Sequence, residues 1–279
     1  MARFNANGSF DNSFDADGKV ILAPGSGNDA AQAIVVQSDG KILIGGYSDS
    51  GTNRVFVMVR FNSDGSLDSS FDGDGIVQTT IDTTAIIYGL ALQTDGRIVA
   101  TGYSLSSGVP QYTVARFNTN GSLDLTLDGD GIVQVLPGSS SSFSQSVAIQ
   151  RDGKIVVGGT TWNNGYDFAL IRLNPNGKLD STFDSDGKAV AGIGTGYDFA
   201  YGMAIQTNGR IVLAGYADNA GQNDFALACF MGDGPAASSI SNVSVNEDAT
   251  DSTIDLFTAF SDPTDADDAL TYTVVGNTN

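Results

Sequence analysis

What this chain lacks narrows its chemistry at once. It has no histidine, one cysteine (Cys229) and one glutamate (Glu247). Without histidine there is no Ser-His-Asp triad, no Cys-His pair and no His-ligated zinc or haem. A single cysteine forms no internal disulfide. With no base to activate it, Cys229 reads as a buried residue of a last strand rather than a nucleophile. No run of 18 apolar residues exists, so no membrane insertion is expected. Positive charge is scarce as well: Lys+Arg 13 against Asp+Glu 32 gives a formal net charge of -19. Such a surface repels nucleic acid and anionic lipid and favours cations, so nucleic acid is not an expected partner.

Glycine, by contrast, is plentiful at 35 residues, and much of it falls in a repeat. An Arg-Phe-Asn-like step begins at Arg3, Arg60, Arg116 and Arg172, at spacings of 57, 56 and 56. An Asp-x-Asp-Gly step begins at Asp15, Asp72, Asp128 and Asp184 with the same spacings. A Gln-x-(Asp/Asn)-Gly-(Lys/Arg)-Ile step begins at Gln37, Gln93, Gln150 and Gln206. Three markers in one register make residues 1–231 four copies of a unit of about 56 residues.

In the first unit, apolar runs at 19–23, 31–37, 41–46 and 55–61 predict four short strands. Ser38-Asp39-Gly40 supplies a tight hairpin, because Asp-Gly tolerates positive φ. No sustained helical period is present. The expected fold is all-β, a β-propeller-like array of four four-stranded repeats. Four copies either close as a ring, with residues 1–4 adding to the last blade, or form an open arc of a larger propeller.

The fourth run stacks in columns. Phe56, Tyr112, Phe168 and Phe225 share one position, and Met58, Val114, Leu170 and Leu227 the next on that face. Val57, Thr113, Ala169 and Ala226 lie on the other face. This predicts a strand buried on both faces between neighbouring blades. Arg3, Arg60, Arg116 and Arg172 continue the aromatic face. Either each pairs with a nearby turn carboxylate, Asp68 or Asp72 for Arg60, or the four ring a channel mouth and bind an anion.

The pattern ARFN-x-(N/D)-GS-(L/F)-D-x-x-F-D-x-DG, followed by Q-x-DGKI, resembles the delta-60 repeat family of bacterial proteins. The resemblance implies a β-propeller-like fold and an exported protein, and little about activity. The third copy departs, with Leu127 where Phe14, Phe71 and Phe183 stand. Residues 232–239 are Gly/Pro/Ala/Ser-rich and read as a linker. Residues 240–279 predict strands at 240–245 and 270–275. The run VNED…IDLFTAFSDPTDADDALTYTVVGN resembles the opening half of a cadherin-like, immunoglobulin-type sandwich domain of bacterial surface proteins. A partial β-sandwich segment is expected there, too short to bury its own core. Both ends read as cut from a longer protein.

The acidic turns are the most pointed chemistry. Calcium takes six to eight hard oxygens, and the second repeat offers Asn62, Asp64, Asp68, Asp72 and Asp74. Asp15, Asp17, Asp128, Asp130, Asp184 and Asp186 are their counterparts in the other copies. In the tail, Glu247, Asp262, Asp265 and Asp267 resemble cadherin-type calcium ligands. The competing reading is that Asn, Asp and Gly simply make tight turns. Trp162, outside the repeat register in the 160–165 loop, and Tyr166 are the binding candidates. Tyr47, Tyr103 and Tyr216 follow the third run in register. A glycoside hydrolase needs two carboxylates across a cleft, which exposed, repeated aspartates do not suggest. The expected function is a non-catalytic structural or adhesion scaffold at a bacterial cell surface or outside the cell, with calcium as a possible stabiliser. The alternative is a carbohydrate- or protein-binding propeller that uses one loop face around 104–111 and 160–166.

Overall fold

A computed structural model describes residues 1–231 and, beyond them, only the backbone of one short antiparallel pair, Ala236–Ala237 with Phe260–Ser261. The expected linker, the sandwich strands and Glu247, Asp262, Asp265 and Asp267 lie outside the described side chains. Among the described residues every regular element is a strand. Blade 1 is β1 (Asp29–Val36), β2 (Ile42–Asp49), β3 (Arg54–Phe61) and β4 (Ile76–Thr79). Blade 2 is β5 (Ala85–Leu92), β6 (Ile98–Ser106), β7 (Val109–Phe117) and β8 (Ile132–Val135). Blade 3 is β9 (Ser142–Ile149), β10 (Ile155–Trp162), β11 (Tyr166–Leu173) and β12 (Lys188–Ala191). Each is an antiparallel meander. Blade 4 has three strands: β13 (Asp198–Ile205), β14 (Ile211–Asn219) and β15 (Gln222–Phe230).

The blade begins later in the repeat than expected. Residues 19–23 are not a first strand; Lys19 bridges Ala2, as Ile76 of β4 pairs with Val59 of β3. Residues 1–22 therefore supply the end of a third strand and the start of a fourth, a partial blade ahead of blade 1.

The core is a stack of layers between blades. Leu43, Phe56, Met58 and Val77 of blade 1 pack on Ile87, Leu90, Ile98 and Ala115 of blade 2. Val99, Tyr112 and Val114 of blade 2 meet Ile155, Val157, Ala169 and Ile171 of blade 3. Phe168 and Leu170 of blade 3 meet Ile211, Leu213, Ala226 and Ala228 of blade 4. Phe14, with Met1 and Val20, covers Ile42, Val57, Val59 and Phe61. The third strands β3, β7 and β11 are thus buried on both faces, as their columns predict. In β15 the column fails: Phe225 is 104% and Leu227 71% exposed. Cys229, expected buried, is exposed as well. These residues carry core chemistry, and among the described residues no following blade covers them. The four copies form an open arc.

The arginine column is paired, with Arg60, Arg116 and Arg172 buried and Arg3 partly exposed, so the anion-binding ring is corrected to a set of internal staples. Arg60 Nε donates to Asp68 Oδ2 at 2.7 Å, one terminal nitrogen to Ser70 Oγ at 3.1 Å, and the other to the Thr119 carbonyl of blade 2 at 2.6 Å. Asp72, the alternative partner, is not used. Arg116 repeats the pattern on Asp124 at 2.6 Å, Thr126 and the Pro175 carbonyl of blade 3. Arg172 binds Asp180 at 2.7 Å, and Arg3 binds Asp11 at 2.8 Å and the Ser63 carbonyl. The Gly-Lys/Arg hairpins add a second cation: Lys41 to Asp68 at 3.0 Å, Arg97 to Asp124 at 3.3 Å and Lys154 to Asp180 at 3.4 Å.

A β-bulge recurs in the first strand of every blade, at Gln32, Tyr88, Gln145 and Tyr201. It turns one side chain out of the pleat. Opposite each bulge stands Gly46, Gly102, Gly159 or Gly215. A Cβ at Gly102 would fall on the carbonyl oxygen of Ile86, and one at Gly46 on that of Ala30. Only glycine admits this approach.

Burial pushes the carboxyls of Asp68, Asp124 and Asp180 up. The hydrogen bonds from Ser70, Thr126 and Thr182 and the facing cations outweigh it and hold all three below the usual carboxylate range. A carboxylate depressed in the folded state stabilises it above the unfolded value of about 3.9. That stability is lost as pH falls through the folded value. Urea denaturation should therefore show stability dropping below about pH 4. Asp124→Ala should flatten that slope and cost about 3–5 kcal/mol at neutral pH, because Arg116 is left buried. Gly102→Ala should cost about 1–3 kcal/mol in the same assay.

Candidate functional site

The arc has two edges. Third strands run from one to the other, ending at the staples. The staple edge holds the 38–40-type hairpins and the acidic turns. The opposite edge holds the hairpins between second and third strands. Each edge carries one set of candidate residues.

On the staple edge, the acids are spent on turns. Asp17, Asp74, Asp130 and Asp186 each accept the backbone N–H two residues on, at 2.8–2.9 Å. Asp64 accepts the N–H and hydroxyl of Ser66, and the Asn62 amide donates to Ser66 Oγ and the Leu67 carbonyl. Asp15, Asp72, Asp128 and Asp184 sit at φ 49, 51, 51 and 46°, the left-handed region that Asp tolerates. Their N–H groups cross between blades: Asp15 donates to the Asp64 carbonyl, Asp72 to Asn120 and Asp128 to Asn176. Asp68 belongs to Arg60. Among the described residues no three acids converge in a group able to hold a metal ion. The turn geometry engages one carboxylate oxygen each of Asp17, Asp64, Asp74, Asp130 and Asp186.

On the opposite edge the aromatics converge. Tyr103 lies at the end of β6, and its ring centroid is 6.1 Å from Tyr88 and 5.1 Å from Phe143 of the next blade. Phe143 is 6.3 Å from Tyr166. Tyr166 in turn meets Trp162 at 5.1 Å, Tyr197 at 5.6 Å and Phe199 at 4.8 Å. Phe199 continues to Tyr216 at 5.4 Å, and Tyr216 to Tyr201 at 6.0 Å. At the blade 1 end, the Arg54 guanidinium lies over the Tyr47 ring at 4.9 Å. The result is a continuous ribbon of rings across blades 2 to 4, with an Arg-capped tyrosine on blade 1.

Strand geometry puts these rings there. Trp162 is the last residue of β10 and pairs with Tyr166, the first of β11. The expected 160–165 loop is therefore only Asn163-Asn164-Gly165. Residues 104–106 and 109–111 are likewise strand, joined by Ser107-Gly108, both at positive φ as a two-residue hairpin requires. Tyr88 and Tyr201 are bulge residues. Most of the rings are half-buried; Tyr197 and Tyr201 are 52% and 56% exposed. Edge-to-face and tilted pairs hold them against one another. Sequence reasoning selected Trp162 and Tyr166 and noted Tyr47, Tyr103 and Tyr216; it missed Tyr88, Phe143, Tyr197, Phe199 and Tyr201. Phe143 and Phe199 share a repeat column, the signal that would have found them.

Two acids accompany the rings. Burial, and then the neighbouring Asp198, push the Asp167 carboxyl up. Asp198 is fully buried and accepts the N–H groups of Ile193 at 2.6 Å and Gly194 at 3.0 Å, which fixes the loop bearing Tyr197.

Four-stranded meanders stacked face to face around an arc define a β-propeller-type repeat protein. The chain belongs to the DUF5122 beta-propeller family, a domain of unknown function, whose model matches residues 1–14, 37–71, 93–127, 150–183 and 206–234, just over half of the chain. No curated protein matches. Solved structures with similar folds include a periplasmic gluconolactonase of Pseudomonas aeruginosa, at 13% identity and TM-score 0.38, covering 71% of this chain and 56% of that one. An endo-arabinase of Bacteroides thetaiotaomicron is similar at 11% identity and TM-score 0.40, covering 72% and 75%. A tail fiber of Staphylococcus aureus phage P68 is similar at 12% and TM-score 0.29, covering 75% and 51%. The chain spans just over half the length of the gluconolactonase.

Thermal unfolding in millimolar calcium and in EDTA should give the same midpoint. A calcium-specific rise that disappears in the Asp72→Asn, Asp74→Asn double variant would instead make the acidic turns metal sites.

Proposed function

We propose that the chain is a non-catalytic binding module of a secreted or surface-attached bacterial protein, of the adhesion class, and that it holds a neutral carbohydrate chain on the aromatic ribbon. The ribbon itself carries this reading. Flat, partly exposed ring faces pack against the C–H faces of pyranose rings, and phenol hydroxyls and flanking amides offer hydrogen bonds to sugar hydroxyls. The ribbon is elongated and crosses three blades, which suits an extended polymer better than a compact small molecule. The net charge of -19 opposes anionic polymers. The rings are held by strand ends and by one another, so little ordering is needed on binding.

Trp162 is the one tryptophan of the chain, so its emission reports the site directly. Titration with soluble neutral polysaccharides should change that emission in a saturable way. Tyr166→Ala should weaken binding about tenfold, about 1.4 kcal/mol, and calorimetry on Trp162→Ala should show a similar loss. A panel of neutral glycans that leaves the emission unchanged would sink the reading and direct the search to protein ligands. Release of reducing ends, abolished by Asp167→Asn, would mark a hydrolase instead.

A further inference from the structure

Each internal joint in the arc brings together two unlike faces. One is the Phe56, Met58 and Leu43 face of a blade; the other is the Ile87, Leu90, Ile98 and Ala115 face of the next. Among the described residues the far face of the arc is uncovered, and the near face is covered only in part, by residues 1–22. At the far end Phe225 and Leu227, the counterparts of Phe56 and Met58, are 104% and 71% exposed and border an apolar groove with Tyr201 and Tyr216. At the near end Ile34, the counterpart of Leu90, is 58% exposed. Beside it, Ile44, Val57 and Val59 line a second groove with Met1 and Val20.

We infer that a second copy of this chain covers both ends, head to tail. Phe225 and Leu227 of one copy enter the groove beside Ile34 and Ile44 of the other, and the reverse joint closes two arcs into one ring. The internal layers argue for this occupant: the same two surfaces already meet three times within one chain, in one register. Two like ends have no such complementarity, so the contact is heterologous and closes only by rotation. Two copies of four blades reach about eight, the upper end of ordinary propeller rings.

The register adds a condition. Residues 227–230 of β15 are equivalent to residues 1–4, which already hold Lys19 and Val20 through the Ala2–Lys19 bridge and the Met1–Val20 hydrogen bonds. The joint is therefore an exchange in which Leu227 of one copy replaces Met1 of the other against Val20. Arg3 latches residues 1–4 through Asp11, Ser13 and the Ser63 carbonyl, and opening that latch favours the joint.

The test is size-exclusion chromatography with light scattering on the full chain over a range of concentrations. Phe225→Asp and Ile34→Asp alter exposed positions, so circular dichroism should show both still folded. The expected result is twice the monomer mass for the parent chain and at least about tenfold weaker association for each variant alone. An equimolar mixture of the two variants should recover dimer, because one copy's intact Phe225 meets the other's intact Ile34 face. Arg3→Ala should tighten the dimer. A parent chain that stays monomeric at every concentration, its ends left open or covered by other parts of a longer chain, overturns the proposal. So does an Ile34→Asp variant that dimerises like the parent, which would mean like ends pairing. An Arg3→Ala variant no tighter than the parent overturns the exchange. None of these outcomes depends on glycan binding, so the ribbon reading stands or falls separately.

Discussion

The interaction on which the rest depends is the ion pair between the arginine that closes each third strand and the aspartate eight residues on. Arg116 is 2% exposed, so its charge is taken almost wholly out of water. That is tolerable only if every donor finds an acceptor. Two donors are satisfied within the blade, on Asp124 and Thr126. The remaining terminal nitrogen reaches the Pro175 carbonyl of the next blade. A pair that would otherwise belong to one turn thus fixes the spacing of two blades. The layers of Phe, Met, Val and Ile between blades then pack in one register, because a shift of one blade on another would strip the arginine of its last partner.

The staple also explains the composition. Each unit needs an arginine, a second cation from the Gly-Lys/Arg hairpin, and aspartates for both the ion pair and the turns that present it. Aspartate is required in the turns because it bonds N–H groups two residues on and tolerates left-handed φ, as at Asp72 and Asp128. Glutamate does neither as well, which fits its near-absence. The acidity of the chain is therefore largely a by-product of turn chemistry repeated four times. The same geometry that suggests a cation-binding loop on paper gives one oxygen of Asp17, Asp74, Asp130 and Asp186 a backbone donor.

Much of this was legible in the residues. Three markers at one spacing fixed the repeat and the all-β class, since identical environments must recur at identical intervals, but they left Arg60 open between Asp68, Asp72 and an anion. The alternation of Phe56, Val57 and Met58 showed a strand buried on both faces. Phe225, Leu227 and Cys229 were misread for the same reason: their column implies a neighbour, and a column says nothing about whether the neighbour is there. The ribbon was half legible. Trp162 stood out because it broke the repeat, whereas the contact of Tyr103 with Phe143 joins different blades 40 positions apart in the chain. Only the stacking of blades creates it. Tyr88 and Tyr201 were hidden by the bulge, which shifts the alternation by one residue and turns them away from the face their position implies.

The two edges of the arc differ in how closely their residues repeat from blade to blade. The staple edge consumes almost all of its polar groups internally, so its residues repeat with little variation from blade to blade. The other edge is closed by hairpins as short as two residues, such as Ser107-Gly108, and these ask little beyond positive φ. Positions beside them are free to differ, and some do: the column that is Tyr47, Tyr103 and Tyr216 in three blades is Thr160 in blade 3, where Trp162 and Tyr166 are added. Stability is thus drawn from what the copies share. The chemistry that would select a ligand is concentrated where they diverge, on rings that the shared framework holds within about 6 Å of one another.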